Sequence, residues 1–460
     1  MAVRVGTGHF WIRPAIVAGS RKYAAASYLR PLTKSFTMRF ICLLLLICGA
    51  LPGTAQTSAP EAPTYTRWQI SPILGIQSWA TYTIGQEEFE PTLNAFAPVD
   101  DRLNFMVRRL RFGSTANITD RLFFKFLGAA DFVGSDQRAG TVGGVNNGAF
   151  PNLQVWDLYL RYQLSPNSEA AYVVGGFLRP PVGRESMSGA YGVASFEKSF
   201  SQFYVRQQMT GTGPGGTGGA YFGGLGKVSD KFTVDYRAGL FNPFNNGISA
   251  GQRASTLVAG RVNFMFGDPE SQQWRYGLKT NYFGKRRGVS IAVAGSREGD
   301  TGILAESATL GVDWLVNFGQ FHLEGEYIRL LREGAIGVTY NTATYFVRAG
   351  YNFALAERPG KPRQYVELAA LAYGFDGATD NNNAALATAF FSGDELAIDV
   401  GLNYHVVPGK VKLALHYVAR SGDHGNIVGD ASTGNQYFFQ PGIGGIRRGD
   451  YLGFGVVVSR

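Results

Sequence analysis

The sequence predicts an all-β protein, a transmembrane antiparallel β-barrel of about 16 strands. Three observations predict it. Segments of about ten residues alternate in polarity along most of the chain. The connections between them alternate between short and long, and the apolar faces end in Tyr, Phe or Trp, as membrane-interface girdles do. A soluble β-sandwich also alternates. However, the alternating region runs from 67 to 460 with no linker, more than one sandwich domain holds.

Residues 1–37 are basic, lack Asp and Glu, and precede a second Met. We read them as an upstream extension that is not made, with Met38 as the true start; an Arg-rich, acid-poor transit peptide is the competing reading. Residues 38–55 then read as a secretory signal: Met38-Arg39, the apolar run FICLLLLICGA, and Gly53-Thr54-Ala55 before a cut at Gln56. That run falls short of the ~20 residues a transmembrane helix needs. Cys42 and Cys48 both lie inside it, so the mature chain has no thiol, disulfide or Cys-based metal site. The seven bases of residues 1–55 account for a drop in formal charge from +9 to +2. No nucleic-acid partner is indicated. Residues 56–66 read as a polar periplasmic lead-in, and 67–460 as the barrel.

Strands are expected at 67–83, 103–117, 122–133, 153–163, 170–178, 219–227, 232–241, 255–266, 288–297, 306–317, 321–331, 342–354, 363–374, 394–405, 410–420 and 449–459. The short connections include Ile118–Arg121, Leu164–Glu169, Val228–Lys231, Phe318–Gln320 and Val406–Gly409. The long ones (84–102, 134–152, 179–218, 242–254, 375–393 and 421–448) are rich in Gly, Asn and Asp. An even strand number with short periplasmic turns and long outer loops is the outer-membrane pattern, with both termini periplasmic. One connection breaks it: 267–287 is long on the short side and reads as room for an extra strand pair.

The alternation decides which side chains face inward. In 153–163, Trp156, Leu158, Leu160 and Tyr162 share the apolar face against Asp157, Tyr159 and Arg161. In 394–405, Leu396, Ile398, Val400, Leu402 and Tyr404 oppose Glu395, Asp399 and His405. A charge facing lipid costs about 2–4 kcal/mol at the midplane. Parity therefore sends Arg109, Arg111, Lys125, Arg161, Arg237, Arg261, Arg348 and Lys412 into the lumen, together with Asp131, Asp157, Asp235, Asp313, Glu324, Glu326, Glu367 and Asp399. Equal numbers of bases and acids do not make a uniformly positive tunnel. The charged stretch Gly175–Ser199 then suggests a constriction hung inside this frame.

Several motifs carry a resemblance. Gly176-Phe177-Leu178-Arg179-Pro180-Pro181-Val182-Gly183-Arg184-Glu185, followed by Phe196-Glu197-Lys198-Ser199, resembles the G-x-[hydrophobic]-[basic]-P-P-x-G-x-E and F-x-E-R-S elements of the phosphate-selective porin O and P family, in its Bacteroidetes-like form. Arg108-Arg109-Leu110-Arg111 is similar to that family's R-R-x-R run, and Gly219–Gly226 with Phe232–Asn242 to its glycine-rich strand and "GxFN" close. The resemblance implies a sixteen-stranded homotrimer in the outer-membrane bilayer, with the third outer loop folded into the lumen. It also implies a pore favouring anions such as phosphate. The last strand departs from the pattern, ending in Val-Ser-Arg rather than an aromatic.

On this reading Arg109, Arg111, Arg179, Arg184 and Lys125 form an anion-binding constriction, where guanidinium forks replace part of an anion's hydration shell. Glu185, Glu197 and Lys198 support the inserted loop. The competing reading pairs the arginines with Glu185, Glu197 and wall carboxylates and leaves a general diffusion pore for small hydrophilic solutes. No cofactor or metal is expected. Gly211–Gly219 lacks the Lys-Ser/Thr of a phosphate-binding loop, and Asp376, Asp380 and Asn381–Asn383 do not have calcium-loop spacing. No serine elbow or HExxH pair accompanies the histidines, so no enzyme is expected. A plugged transporter would need a plug domain before the first strand, and about ten residues stand there.

Overall fold

The computed structural model describes residues 68–139, 152–243, 255–379, 383–424, 434–440 and 443–460. The leader and signal readings, both cysteines, Arg67 and residues 380–382 lie outside the described residues.

Sixteen antiparallel strands form a closed barrel, each paired with its neighbours in the chain. They are β1 Gln69–Ile84, β2 Arg102–Asn117, β3 Leu122–Val133, β4 Gln154–Gln163, β5 Tyr172–Leu178, β6 Thr217–Ser229, β7 Phe232–Phe241 and β8 Leu257–Gly267, followed by β9 Gly288–Glu298, β10 Leu304–Phe318, β11 Phe321–Gly334, β12 Thr339–Ala354, β13 Tyr365–Asp376, β14 Asp394–Val407, β15 Val411–Asp423 and β16 Asp450–Ser459. β16 returns to β1 over ten residue pairs, from Gly75–Ser459 to Ile84–Asp450. Closure leaves no unpaired edge, which hydrocarbon would not tolerate.

Burial is inverted relative to a water-soluble sheet. On β14, Ile398, Val400 and Leu402 are 47–49% exposed on the outside, whereas Asp399 and Asn403 are 2% and 0% exposed inside. On β15, Leu415 and Tyr417 point out, and Lys412 and His416 point in. This is the outward apolar belt of a transmembrane barrel.

The connections differ from expectation in three places. The stretch 267–287 holds no extra strand pair; it folds into the lumen, where Trp274 stacks on Tyr172 at 5.0 Å between ring centroids. The first outer loop carries two short strands, Glu87–Glu90 and Ala95–Pro98. They join Phe439–Gln440 and Gly444–Arg447 of the last outer loop in a separate four-stranded sheet. Finally, the register slips at several β-bulges, and at two of them strict alternation fails beside the lumenal cavity. The register slips opposite Arg108 between Gln77 and Ser78, and opposite Trp156 between Leu127 and Gly128. Each bulge leaves an extra residue unpaired and re-aims a side chain. Arg108 and Trp156, which parity sends to lipid, both border the internal cavity.

A constriction built from an outer loop and an inner turn

The third outer loop, from Arg179 to Gly216, enters the lumen and carries two helices, α1 Arg184–Met187 and α2 Ser201–Thr210. Its aromatic side chains rest on a floor of wall glycines. A Cβ on Gly453 would meet the Phe196 ring at 2.5 Å, and one on Gly75 would collide with Tyr191. Phe196 also stacks on Trp79 at 4.4 Å.

The loop is bound to the acidic side of the wall. Arg184, fully buried, lies 2.7 Å from Glu270 on the inner turn and 3.1 Å from Glu324 on β11. Glu185 accepts from Arg348 on β12 at 2.5 Å and from the Ser199 amide at 2.6 Å. Arg348 also binds Glu324 at 2.5 Å. Further along, the Phe196 amide donates to Asp399, Asn403 donates to the Ala194 carbonyl, and the Lys412 ammonium donates to the Val193 carbonyl. Glu367 is held by His322 at 2.7 Å and His405 at 2.9 Å, and Asp313 by Arg261 at 2.7 Å. Buried charges are tolerated only when paired in this way.

The opposite side of the lumen stays open. A cavity of about 1420 Å³ is lined from Asn117 and Asp120 at the short-turn end to Phe391 and Phe439 at the long-loop end. Its wall comes from β2, β3 and β4 and its other face from the third loop and residues 273–278. Nine Arg or Lys residues line it, against four Asp or Glu. The lumen is thus divided: the carboxylates of β10–β14 hold the loop, and the bases of β2–β4 face the cavity.

Of the residues singled out from sequence, Arg109, Arg111, Lys125, Arg179 and Lys198 border the cavity. Arg111 forks onto Asp131 at 2.5 and 3.1 Å. Lys125 and Arg179 share Asp157, at 2.8 and 3.0 Å. Arg109 binds Glu197 and Gln77, and Arg108 binds Glu197 at 2.6 Å. Arg184 does not border the cavity; its guanidinium is spent on Glu270 and Glu324 and serves the loop's anchorage. Glu185 and Glu197 sit in the ion pairs that hold the loop to β12 and β2. Lys198 donates to the carbonyls of Glu185 and Ser188.

Electrostatics on the loop follow its burial. Burial pushes the Glu197 carboxyl up, but Arg108 and Arg109 outweigh it and hold it at about 2. Glu270 is likewise held at about 2, burial being overcome by Arg184. Burial drives the Lys198 ammonium well below its ordinary value. Burial, with Arg179 nearby, lowers Arg206 to about 9. Arg206 makes no ion pair among the described residues, its guanidinium donating to Ser186 Oγ and O at 3.1 and 2.8 Å.

Sequence reasoning missed Arg108, Arg206 and Arg275 on the cavity. A signal existed for Arg108: two adjacent arginines on an alternating strand oblige one to face lipid unless a bulge intervenes. Arg206, on a short lumenal helix, gave none.

Among solved structures, the chain is similar to an anion-selective porin from Comamonas acidovorans, with TM-score 0.50 and 13% identity over 86% of this chain and 100% of that one. The chain has the fold of an outer-membrane porin. It is also similar to the outer membrane channel DcaP of Acinetobacter baumannii (TM-score 0.49, 11% identity, 87% of this chain and 99% of that one). OmpF of Salmonella typhi in complex with daunomycin gives TM-score 0.46 and 11% identity, over 85% and 97%. No protein-family model matches the chain, and no curated protein matches it. Identities this low speak to fold alone. A closed barrel with an apolar outer belt places the chain in the bacterial outer membrane.

Proposed function

We propose that the chain is a porin for passive diffusion of small hydrophilic solutes, with a preference for anions. One observation carries the preference: the excess of bases over acids along the cavity, left because the loop occupies the acidic wall. A narrow passage with one sign of charge concentrates counter-ions. Guanidinium forks suit the oxygens of carboxylates, phosphates and similar oxyanions alike; phosphate is what the resemblance to the phosphate-selective porins implies. The same resemblance supports a homotrimer, and the basic start, apolar run and small-residue end of 38–55 support a cleaved signal. Passage rather than catalysis is the role this lumen fits.

A second reading has its own support. Arg109, Arg111, Lys125 and Arg179 each have a carboxylate partner, which favours a weakly selective general pore. Reversal potential across a planar bilayer under a KCl gradient separates the two. A potential on the chloride side supports anion preference; one near zero leaves a general pore.

A further inference from the structure

We infer that the preferred solute is an organic anion carrying a flat aromatic ring, such as an aromatic carboxylate, rather than a bare inorganic oxyanion. The inference rests on the anion-preferring reading above. Its ground is the way bases and rings alternate along the cavity. Arg108 lies 3.9 Å from the Phe132 ring centroid, Arg111 4.1 Å from Trp156, Arg161 4.5 Å from Phe123, and Arg179 5.3 Å from Trp156. Lys125 lies 5.8 Å from Tyr159. All of these bases and rings border the same cavity. Five bases on one passage thus each lie within 6 Å of a ring centroid, the reach of a cation–π contact.

The rings are placed there against the local rules of the strand. Trp156 and Arg108 reach the lumen through the two bulges. Phe132 does so with a left-handed backbone, φ 61°, which a bulky residue adopts only where its surroundings impose it. A channel for a bare anion needs the bases alone. Guanidinium groups lying over rings offer a second contact: an aromatic surface to stack on beside a charge to bind.

The test is single-channel recording of the full mature protein with chloride as carrier and benzoate, acetate or phosphate added to one side, alongside the reversal potential. We expect benzoate to interrupt the current at concentrations about tenfold below acetate and phosphate. In Trp156→Leu and in Tyr159→Leu, each checked for the folded barrel by heat-modifiable electrophoretic mobility, benzoate should fall to the level of acetate. Anion selectivity with benzoate, acetate and phosphate equivalent would overturn this inference and leave the anion-preferring pore standing. A benzoate advantage that survives both substitutions would overturn the assignment to these rings. A reversal potential near zero would overturn both readings together.

Discussion

Glu197 illustrates how one carboxylate sets both the position of the loop and the charge of the passage. It joins Arg108 and Arg109, adjacent on β2, to the inserted loop. Because its folded-state value is depressed, its contribution is complete above the ordinary carboxylate range and fades as pH falls toward about 2. Open-channel current should therefore be quiet from pH 8 to about 4 and become noisy only in stronger acid. Glu197→Gln should show that noise at pH 7, with a reversal potential shifted toward chloride as two guanidinium groups lose their counter-charge. An unchanged potential would show that these arginines do not govern permeation. Arg348 makes the complementary case. It is fully buried between Glu185 and Glu324, and removing one partner of such a network costs about 3–5 kcal/mol. Arg348→Met should release the loop, raising conductance and lowering the unfolding temperature; calorimetry and bilayer recording read the two effects separately.

The constriction is made by two elements entering from opposite ends, the third outer loop and the inner turn at 268–287. Arg184 joins them through Glu270, and Tyr276 donates its hydroxyl to the Arg179 carbonyl at 3.1 Å. Replacing 270–279 with a short glycine-serine linker should therefore widen the inner half of the passage and raise conductance, while the bases of β2–β4 keep the sign of selectivity. The glycine floor gives an independent handle: Gly453→Val would drive a side chain into Phe196 and should raise conductance without touching a charge. How far the sequence foretold these elements depends on how local their cause is. Strand positions follow from polarity two residues apart, and all sixteen were legible. The inward course of 267–287 was not, because its partners Tyr172 and Arg184 lie about a hundred residues earlier and nothing within the turn announces them. Arg184 was read as part of an anion-binding neck, with pairing to a wall carboxylate as the competing reading; that its partners are Glu270 and Glu324 is decided only once the barrel has closed.

At the scale of the whole molecule, charge is sorted across the lumen and apolarity around the outside, and both follow from closing a sheet of period two. The carboxylates of β10, β11 and β14 lie under the loop, whose bases and amides satisfy them, and the excess positive charge falls to the wall that the loop leaves uncovered. The outside is the simplest place to test that the chain lives in a bilayer. Leu402 is 49% exposed on β14, next to Asn403, which is fully buried in the lumen. If hydrocarbon surrounds the barrel, Leu402→Arg should destabilise it by about 2–4 kcal/mol at the midplane, and Leu402→Ala far less. Urea titration of the protein folded into lipid vesicles, followed by tryptophan fluorescence, measures both. In water an arginine on an exposed strand face would be close to neutral, within about 0.5 kcal/mol. Equal stability of the two variants would thus contradict a lipid-facing belt, whereas the predicted gap would fix β14 at membrane depth and, with it, the level at which the loop narrows the passage.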